Sequence, residues 1–512
     1  MIASVIFGAA PRPLQATPGH KIGIMYLKKL ILILLLGGVA FYSSGQDHFG
    51  ALNSNYSPTN SVHINPTSML DAKTWLDLHI VGAGAYVNNT LAAVESTTII
   101  GLIRQRDLAE DDLIYRQDKA PYHGYNHNFV SVLSAVWSQG NHAAGLSFNA
   151  YSYTDARRID EPIGRFIENG VSQYTDQHLT DYSIQRLRAN ALGYAEAKLS
   201  YAYTFLKQDR NMFMGGLSYK KIFPLAGGAA NIRDFAYNVF NDTVFYTYDL
   251  TGDAMANIQP EFNLRGGWGF DLGFTWQRMY SNCSSYYPNS KRGGCNPLHY
   301  KYKLGVSITD LGYAKFNPDN TSYVGYNLED VTVFNYPGLT AEAGTFPTVF
   351  IGDEDTPNEG VVRDPNRMSL PTAISVQFDR NIKPHFFYLN VTWVHGIPPT
   401  KGAFGPRRAH TLSVTPRIET KWFDAALPLS LYEYQRVQLG LSLRFYCLTI
   451  GTDKLLNYFI RSDIYGGDFY FHLKVPLFRN PKCKGRGNGF GGKKGNKGGW
   501  AGRKHPKCAA YQ

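Results

Sequence analysis

The stretch Asp468-Phe469-Tyr470-Phe471-His472-Leu473-Lys474-Val475-Pro476-Leu477-Phe478 decides how the rest of the chain is read. Phe469, Phe471, Leu473, Val475 and Leu477 fall on one face, and Tyr470, His472 and Lys474 on the other. Successive side chains of a strand point to opposite faces, so this is one strand with an apolar and a polar side. In Val437–Cys447, Val437, Leu439, Leu441, Leu443 and Phe445 oppose Gln438, Gly440, Ser442 and Arg444. In Ala195–Phe205, Glu196, Lys198, Ser200 and Thr204 oppose Ala197, Leu199, Tyr201 and Tyr203. Phe270–Gln277, Tyr302–Thr309 and Ala373–Asp379 repeat the pattern. A soluble β-sandwich gives the same alternation, so the length and order of the segments must separate the two architectures.

Twelve strands are expected near 75–87, 128–137, 143–153, 190–205, 212–221, 262–277, 300–309, 373–379, 385–394, 410–416, 437–447 and 468–478, with Val331–Tyr336 and Thr348–Ile351 as two further candidates. Many run about ten residues, the length a tilted strand needs to cross a bilayer. Connections alternate. The outer set is 88–127, 154–189, 222–261, 310–372, 395–409 and 448–467; the inner set is 138–142, 206–211, 278–299, 380–384 and 417–436. A sandwich has no reason to sort loops by parity, whereas an outer-membrane barrel keeps long loops outside and short turns inside. Trp75, Tyr86, Trp137, Tyr151, Tyr153, Trp268, Trp276, Tyr300 and Trp393 lie near strand ends, where an interfacial aromatic girdle is expected. The fold class is therefore all-β: a transmembrane antiparallel β-barrel of 12–14 strands over residues 75–478.

Composition agrees. With 18% charged and 14% aromatic residues over 512 positions, the chain is neither disordered nor a polytopic helical protein. Of its 51 basic residues four precede residue 47 and ten follow residue 478, leaving 37 against all 40 acidic residues, a body at −3. Without a basic face on that body, nucleic acid is not an expected partner. Lys28 and Lys29 precede the apolar run Leu30–Leu36, and Ser43 and Gly45 suit the −3 and −1 positions of a signal-peptidase site, so 1–46 reads as an upstream extension and export signal, with Met25 as a candidate start. An uncleaved anchor is the alternative. Residues 47–74 form an N-terminal periplasmic or plug segment. The Gly- and Lys-rich tail 479–512 lacks enough apolar surface to order itself, and its charge suits peptidoglycan, acidic periplasmic or envelope proteins, or anionic lipid of the outer membrane.

Ile64-Asn65-Pro66-Thr67 with Asp71, the strand end Gly305-Val306-Ser307-Ile308-Thr309-Asp310-Leu311-Gly312, and Gly467–Leu477 at the close resemble a family of Bacteroidota outer-membrane β-barrels of unknown function. That family is similar in layout to long-chain fatty-acid transporters and to barrel components of the type IX secretion system. The resemblance covers roughly 47–478 and implies a cell outer-membrane location with no catalytic residues to carry over.

Chemistry-bearing motifs are sparse. HExxH, paired CxxC, Walker A and nucleophile-elbow patterns do not occur, so no enzyme activity, cofactor or metal is expected. Asp353, Glu354, Asp355 and Glu359 read as a solvated acidic loop. Glu196, Lys198, Arg444, His472 and Lys474 fall on the polar faces and are candidates for a network inside the barrel. Cys283 with Cys295, and Cys483 with Cys508, are candidate disulfides of an oxidising compartment; Cys447 is expected to face lipid unpaired. Two functions follow: a transporter or channel for small or hydrophobic solutes with Asn65–Asp71 as an internal plug, or a non-transporting structural or accessory barrel that binds secretion machinery or other envelope components.

Overall fold

A computed structural model describes residues 48–104, 113–115, 121–159, 181–241, 244–259, 263–290, 298–328, 332–335, 362, 364–384 and 386–481. Fourteen antiparallel strands form a closed wall. In chain order they are β1 Leu76–Asn89, β2 Tyr122–Gln139, β3 His142–Ile159, β4 Arg188–Gln208, β5 Asn211–Asn241, β6 Trp268–Met279 and β7 Tyr300–Lys315. There follow β8 Ala373–Lys383, β9 Phe387–Gly396, β10 Thr411–Glu419, β11 (Phe423–Ala426 and Leu429–Tyr432), β12 (Arg436–Leu439 and Leu441–Phe445), β13 Leu448–Thr452 and β14 Gly466–Leu477. The ring closes between β1 and β14, paired from Leu76 opposite Leu477 to Asn88 opposite Gly466 with one register shift between His79 and Val81. Among the described residues no helix is long and apolar enough to cross a membrane.

The alternation that defined the strands also sets which way they face. On β4 Glu196, Lys198, Ser200 and Thr204 are buried, while Leu199 is 60% and Tyr201 50% exposed. Along this part of β4 polar residues line the lumen and apolar residues cover the outside, while further along the strands a buried cluster that includes Tyr153, Leu192, Tyr194, Ile222, Phe316 and Met368 makes part of the interior apolar. At the end that carries residues 75 and 478, five turns of two or three residues join strand pairs, and only 280–299 is long. Gly140 and Asp209 take positive φ in two of these turns (+66° and +52°), as tight hairpins require.

The strand count was legible, but the last third was assigned differently. The expected inner connection 417–436 contains a short turn, the whole of β11 and an outer turn, and the expected outer connection 448–467 begins with β13. Strand 437–447 therefore runs opposite to the expected direction. Val331–Tyr336 does hold a strand, Thr332–Asn335, but it pairs with Val244–Ile258 in a ribbon that continues β5 beyond the wall. Thr348–Ile351 lies outside the described residues. One seam is thin: β1 and β2 share a single ladder pair, Asn89 with Gly124. Bonds at the two ends, Thr90 N–H to His123 O (2.9 Å) and Ser138 N–H to Trp75 O (3.0 Å), flank it. Near its middle β2 bulges at Leu133, which takes φ +44°.

Before β1 the chain fills the lumen. Helices α1 (Phe49–Leu52) and α2 (Pro58–Ser61) and a 3-10 turn, Pro66–Met69, are almost wholly buried. The wall opens room for them with glycine. A Cβ on Gly216 would lie 2.9 Å from both Pro66 Cβ and Thr67 N. Gly216→Val should therefore destabilise the protein by about 1–3 kcal/mol through overpacking, read by denaturant unfolding of the reconstituted barrel. Gly193→Ala, where a Cβ meets nothing closer than 3.7 Å, should unfold like wild type. Equal midpoints for all three would place the segment elsewhere.

Candidate functional site

The lumen and the segment inside it form the one extensive polar interior among the described residues. Asn65 organises the segment's centre. Its Oδ1 accepts Thr67 N–H (3.0 Å) and Thr67 Oγ1–H (2.7 Å), which caps the 3-10 turn that follows. Its Nδ2 donates to Gln377 Oε1 on β8 (3.1 Å) and Thr275 Oγ1 on β6 (3.3 Å). Ser307 on β7 donates to Ile64 O at 2.5 Å. Gly273 and Gly305 allow this approach, since a Cβ on either would lie within 3 Å of an Asn65 side-chain atom. Apolar contacts fall in three small groups, Val62, Met69 and Leu70 against Val136, Ala143, Ala202 and Met214, Phe49, Leu52 and Ile64 against Ala373 and Val394, and Ala51 against Phe129 and Tyr470.

Charge is paired across the interface. Lys198 Nζ lies 2.8 Å from Asp271 Oδ2 and donates to Val62 O of the segment (3.0 Å). Lys220 Nζ sits 2.8 Å from Asp271 Oδ1 and 2.5 Å from Asp310 Oδ1, and Glu196 is 3.9 Å from it. Glu196 Oε1 also accepts Asn149 Nδ2–H (3.0 Å). Near the inner end, Arg417 bridges Asp379 and Glu419 at 2.6 Å each. Asn55 of the segment donates to Glu419 Oε2 (2.8 Å), and Asp71 meets Lys303 at 2.8 Å. Arg444 pairs with Asp424 (2.6 Å), which also accepts Ser54 Oγ–H (2.7 Å). Lys474 lies 3.6 Å from Asp77 and donates to Tyr56 O (2.8 Å) and Ser57 Oγ (2.5 Å). An unpaired charge at such depth costs several kcal/mol, which is why each has a partner.

The five residues singled out from sequence are all buried, but they make separate contacts. Glu196 and Lys198 belong to the β4–β7 cluster, Arg444 and Lys474 to the β11–β14 side. The segment touches both groups. His472 makes ring contacts, its centroid 5.6 Å from Phe129, 5.8 Å from His48 and 5.4 Å from His79, and neither ring nitrogen has a hydrogen-bond partner among the described residues. Sequence reasoning missed Asp271, Lys220, Asp310, Asp379, Arg417 and Glu419. Their polar-face parity is the signal in the sequence that places them inside.

Below the lumen, residues 280–290 fold under the barrel. Asn289 Nδ2 donates to Thr74 O and Ser138 O, both at 3.2 Å, and Cys283 is buried with its Sγ 3.4 Å from Asn211 O. Cys295, Cys483, Cys508 and the acidic group Asp353 to Glu359 lie outside the described residues. Cys447 sits half-buried as a free thiol in the two-residue turn between β12 and β13. A cavity of about 40 Å³ lies between Asn55, Asp71, Lys303 and Asp379, and one of about 30 Å³ between Tyr86, Tyr125, Tyr153 and Arg407. Each holds a water or two and no larger solute. No three His, Cys, Asp or Glu among the described residues are placed to hold a metal ion.

Several solved structures resemble this one at low identity. A FadL homologue from Pseudomonas aeruginosa is 11% identical, over 85% of this chain and 98% of its own, with a TM-score of 0.37. The toluene transporter TodX of P. putida is 10% identical, over 84% and 97%, at 0.35. The outer-membrane protease OmpT of Escherichia coli is 8% identical, over 78% and 95%, at 0.15. Among curated proteins none matches. Over residues 71–453 the sequence fits one described family, and the chain belongs to it: the family of unknown function DUF5723.

Proposed function

We propose that this protein is an outer-membrane channel for small or hydrophobic solutes, closed by its own residues 48–74. A closed antiparallel barrel with exposed Leu199, Phe205, Leu272, Phe274, Val306 and Phe378 outside and a charged interior suits lipid, where every backbone donor must be paired within the wall. The observation that carries channel function is the filling of the lumen. A narrower barrel fills itself with wall side chains, whereas this one is wide enough to enclose a separate stretch of chain. The contacts holding that stretch are largely hydrogen bonds and ion pairs, which water can replace at a net loss of roughly 0.5–1.5 kcal/mol per neutral bond. Such a filling can shift without exposing a large apolar surface. A plug of this kind is a gate.

The second reading, an accessory barrel that passes nothing and engages envelope components through its loops, takes the same filling as permanent. In that reading the basic tail, 479–512, supplies contacts to peptidoglycan or a periplasmic protein.

Liposome swelling separates the two. The wild-type protein should pass small sugars slowly. Asp71→Asn removes the ion pair with Lys303, a charged contact of roughly 1.5–3 kcal/mol, and should raise the swelling rate about tenfold or more. Deleting 48–70 should raise it at least as far. Rates indistinguishable from empty liposomes in all three, with correctly folded barrels on unboiled gels, would leave the accessory reading. The same charges brace the fold: Asp379→Asn leaves Arg417 ion-paired with Glu419 alone among the described residues and should cost roughly 1.5–3 kcal/mol, seen as a lower temperature for the folded-to-unfolded band shift. An unchanged temperature would mean that Arg417 is solvated from the cavity.

A further inference from the structure

Beside the outer part of β14 the wall lacks a strand, and what fills the place is helical. β13 ends at Thr452 and pairs with β14 only from Leu448 opposite Leu473 to Gly451 opposite Tyr470. The outer part of β14, 466–469, therefore has no neighbouring strand on that side. Across the gap, Arg436–Leu439 of β12 also lies beyond the end of the β12–β13 ladder, which starts at Leu441 opposite Thr452. The chain after β13 fills the space. Leu455 N–H donates to Leu439 O (2.8 Å) on one side. On the other, Asn457 Nδ2 donates to Gly466 O (2.9 Å) and Tyr458 Oη to Asp468 O (2.5 Å). These bonds satisfy carbonyls that a longer β13 would have taken. They fix a short helix, α3 (Leu456–Phe459), in the line of the wall.

A second helix, Ile99–Arg104, packs beside it. Its Ile99 lies against the outward face of β14: a Cβ on Gly467 would come within 2.9 Å of Ile99 Cδ1. Gly467 shares that face with Phe469. The pair of helices leaves Ile103 73%, Phe459 72%, Ile460 54% and Leu456 47% exposed. The flanking outward residues of the wall, Val437 and Phe469, are 68% and 51% exposed. An aqueous position would make this concentration of bare apolar surface costly, at about 25 cal/mol for each Å². Arg104 and Arg461 stand exposed at the ends of the two helical segments, with no ion pair among the described residues. Arg436 stacks on Tyr465 at 3.8 Å. Apolar side chains continuous with the wall suit acyl chains below, and a margin of exposed Arg104 and Arg461 interspersed with exposed Glu95 and Asp463 suits the charged headgroup layer above.

We propose that Ile99–Arg104 and Leu456–Ile460 form a lipid-binding patch that replaces the outer half of a wall strand and seats the rim beside β14 in the anionic headgroup layer. This rests on the membrane reading above. The test inserts a photoreactive benzoylphenylalanine at Phe459, and separately at Ile103. It is run in phosphatidylethanolamine–phosphatidylglycerol vesicles that contain a fluorescent phospholipid. Phe469 on the wall is the lipid-facing reference, and Tyr248 on the ribbon beyond the wall is the aqueous one. Lipid adduct at 459 and 103 should come within about twofold of 469 and about tenfold above 248, because an interfacial apolar face buries its side chains among acyl chains. Yields as low as at 248, or crosslinks to a second copy of the chain, would overturn the patch while 469 still labels. Failure at 469 as well would overturn the membrane reading and the patch with it.

Discussion

The ladder between β1 and β14 is the constraint on which everything else depends. Until Leu76 meets Leu477 and Asn88 meets Gly466, the sheet has two free edges, and a free edge leaves a row of backbone donors and acceptors unpaired. Closing it also creates an inside. Residues that alternate as polar along an open sheet become the lining of a space with limited access to water. From that moment Glu196, Lys220, Asp271, Asp379 and Arg417 need partners.

The partners come from two sources. Neighbouring strands supply some: Arg417 has Asp379 two strands back and Glu419 on its own strand, and Lys220 has Asp271 and Asp310 on the next two. The segment before β1 supplies the rest, with Val62 O for Lys198, Asp71 for Lys303 and Tyr56 O and Ser57 Oγ for Lys474. Wall and filling are thus electrostatically incomplete apart. This explains how a segment with few long apolar stretches is ordered, and why the lumen tolerates so many ionisable groups.

Much of the wall was legible because alternation is a local property. Each of β3, β4, β7, β8 and β9 carries its facing in its own ten or so residues. Legibility failed where the local signal is interrupted. Pro428 divides β11, and a Pro inside a run argues against a strand. β13 has only five residues, too few to display a period. The interior contacts were less legible. Parity places Glu196 or Arg444 inside, but which charge faces which depends on strands far away in sequence and on the stagger of the ring. Asp379 and Arg417 meet across β8 to β10, 38 residues apart. Asn65 and Gln377 meet 312 residues apart. A single sequence holds no register for such pairs.

The thin seam between β1 and β2 bears on how the molecule is made. A hairpin-by-hairpin wall assembles from contacts that are near in sequence, and β2 to β10 offer these in series. β1 is different: its extensive ladder is to β14, almost 400 residues away, and to its sequence neighbour it gives one pair. The long ladder of the first strand is therefore with the last, the contact of greatest loop-closure cost in the wall. The chain that fills the lumen is tethered directly to that strand. Enclosure and filling are in this way coupled in time: the barrel shuts around its contents and is not threaded afterwards.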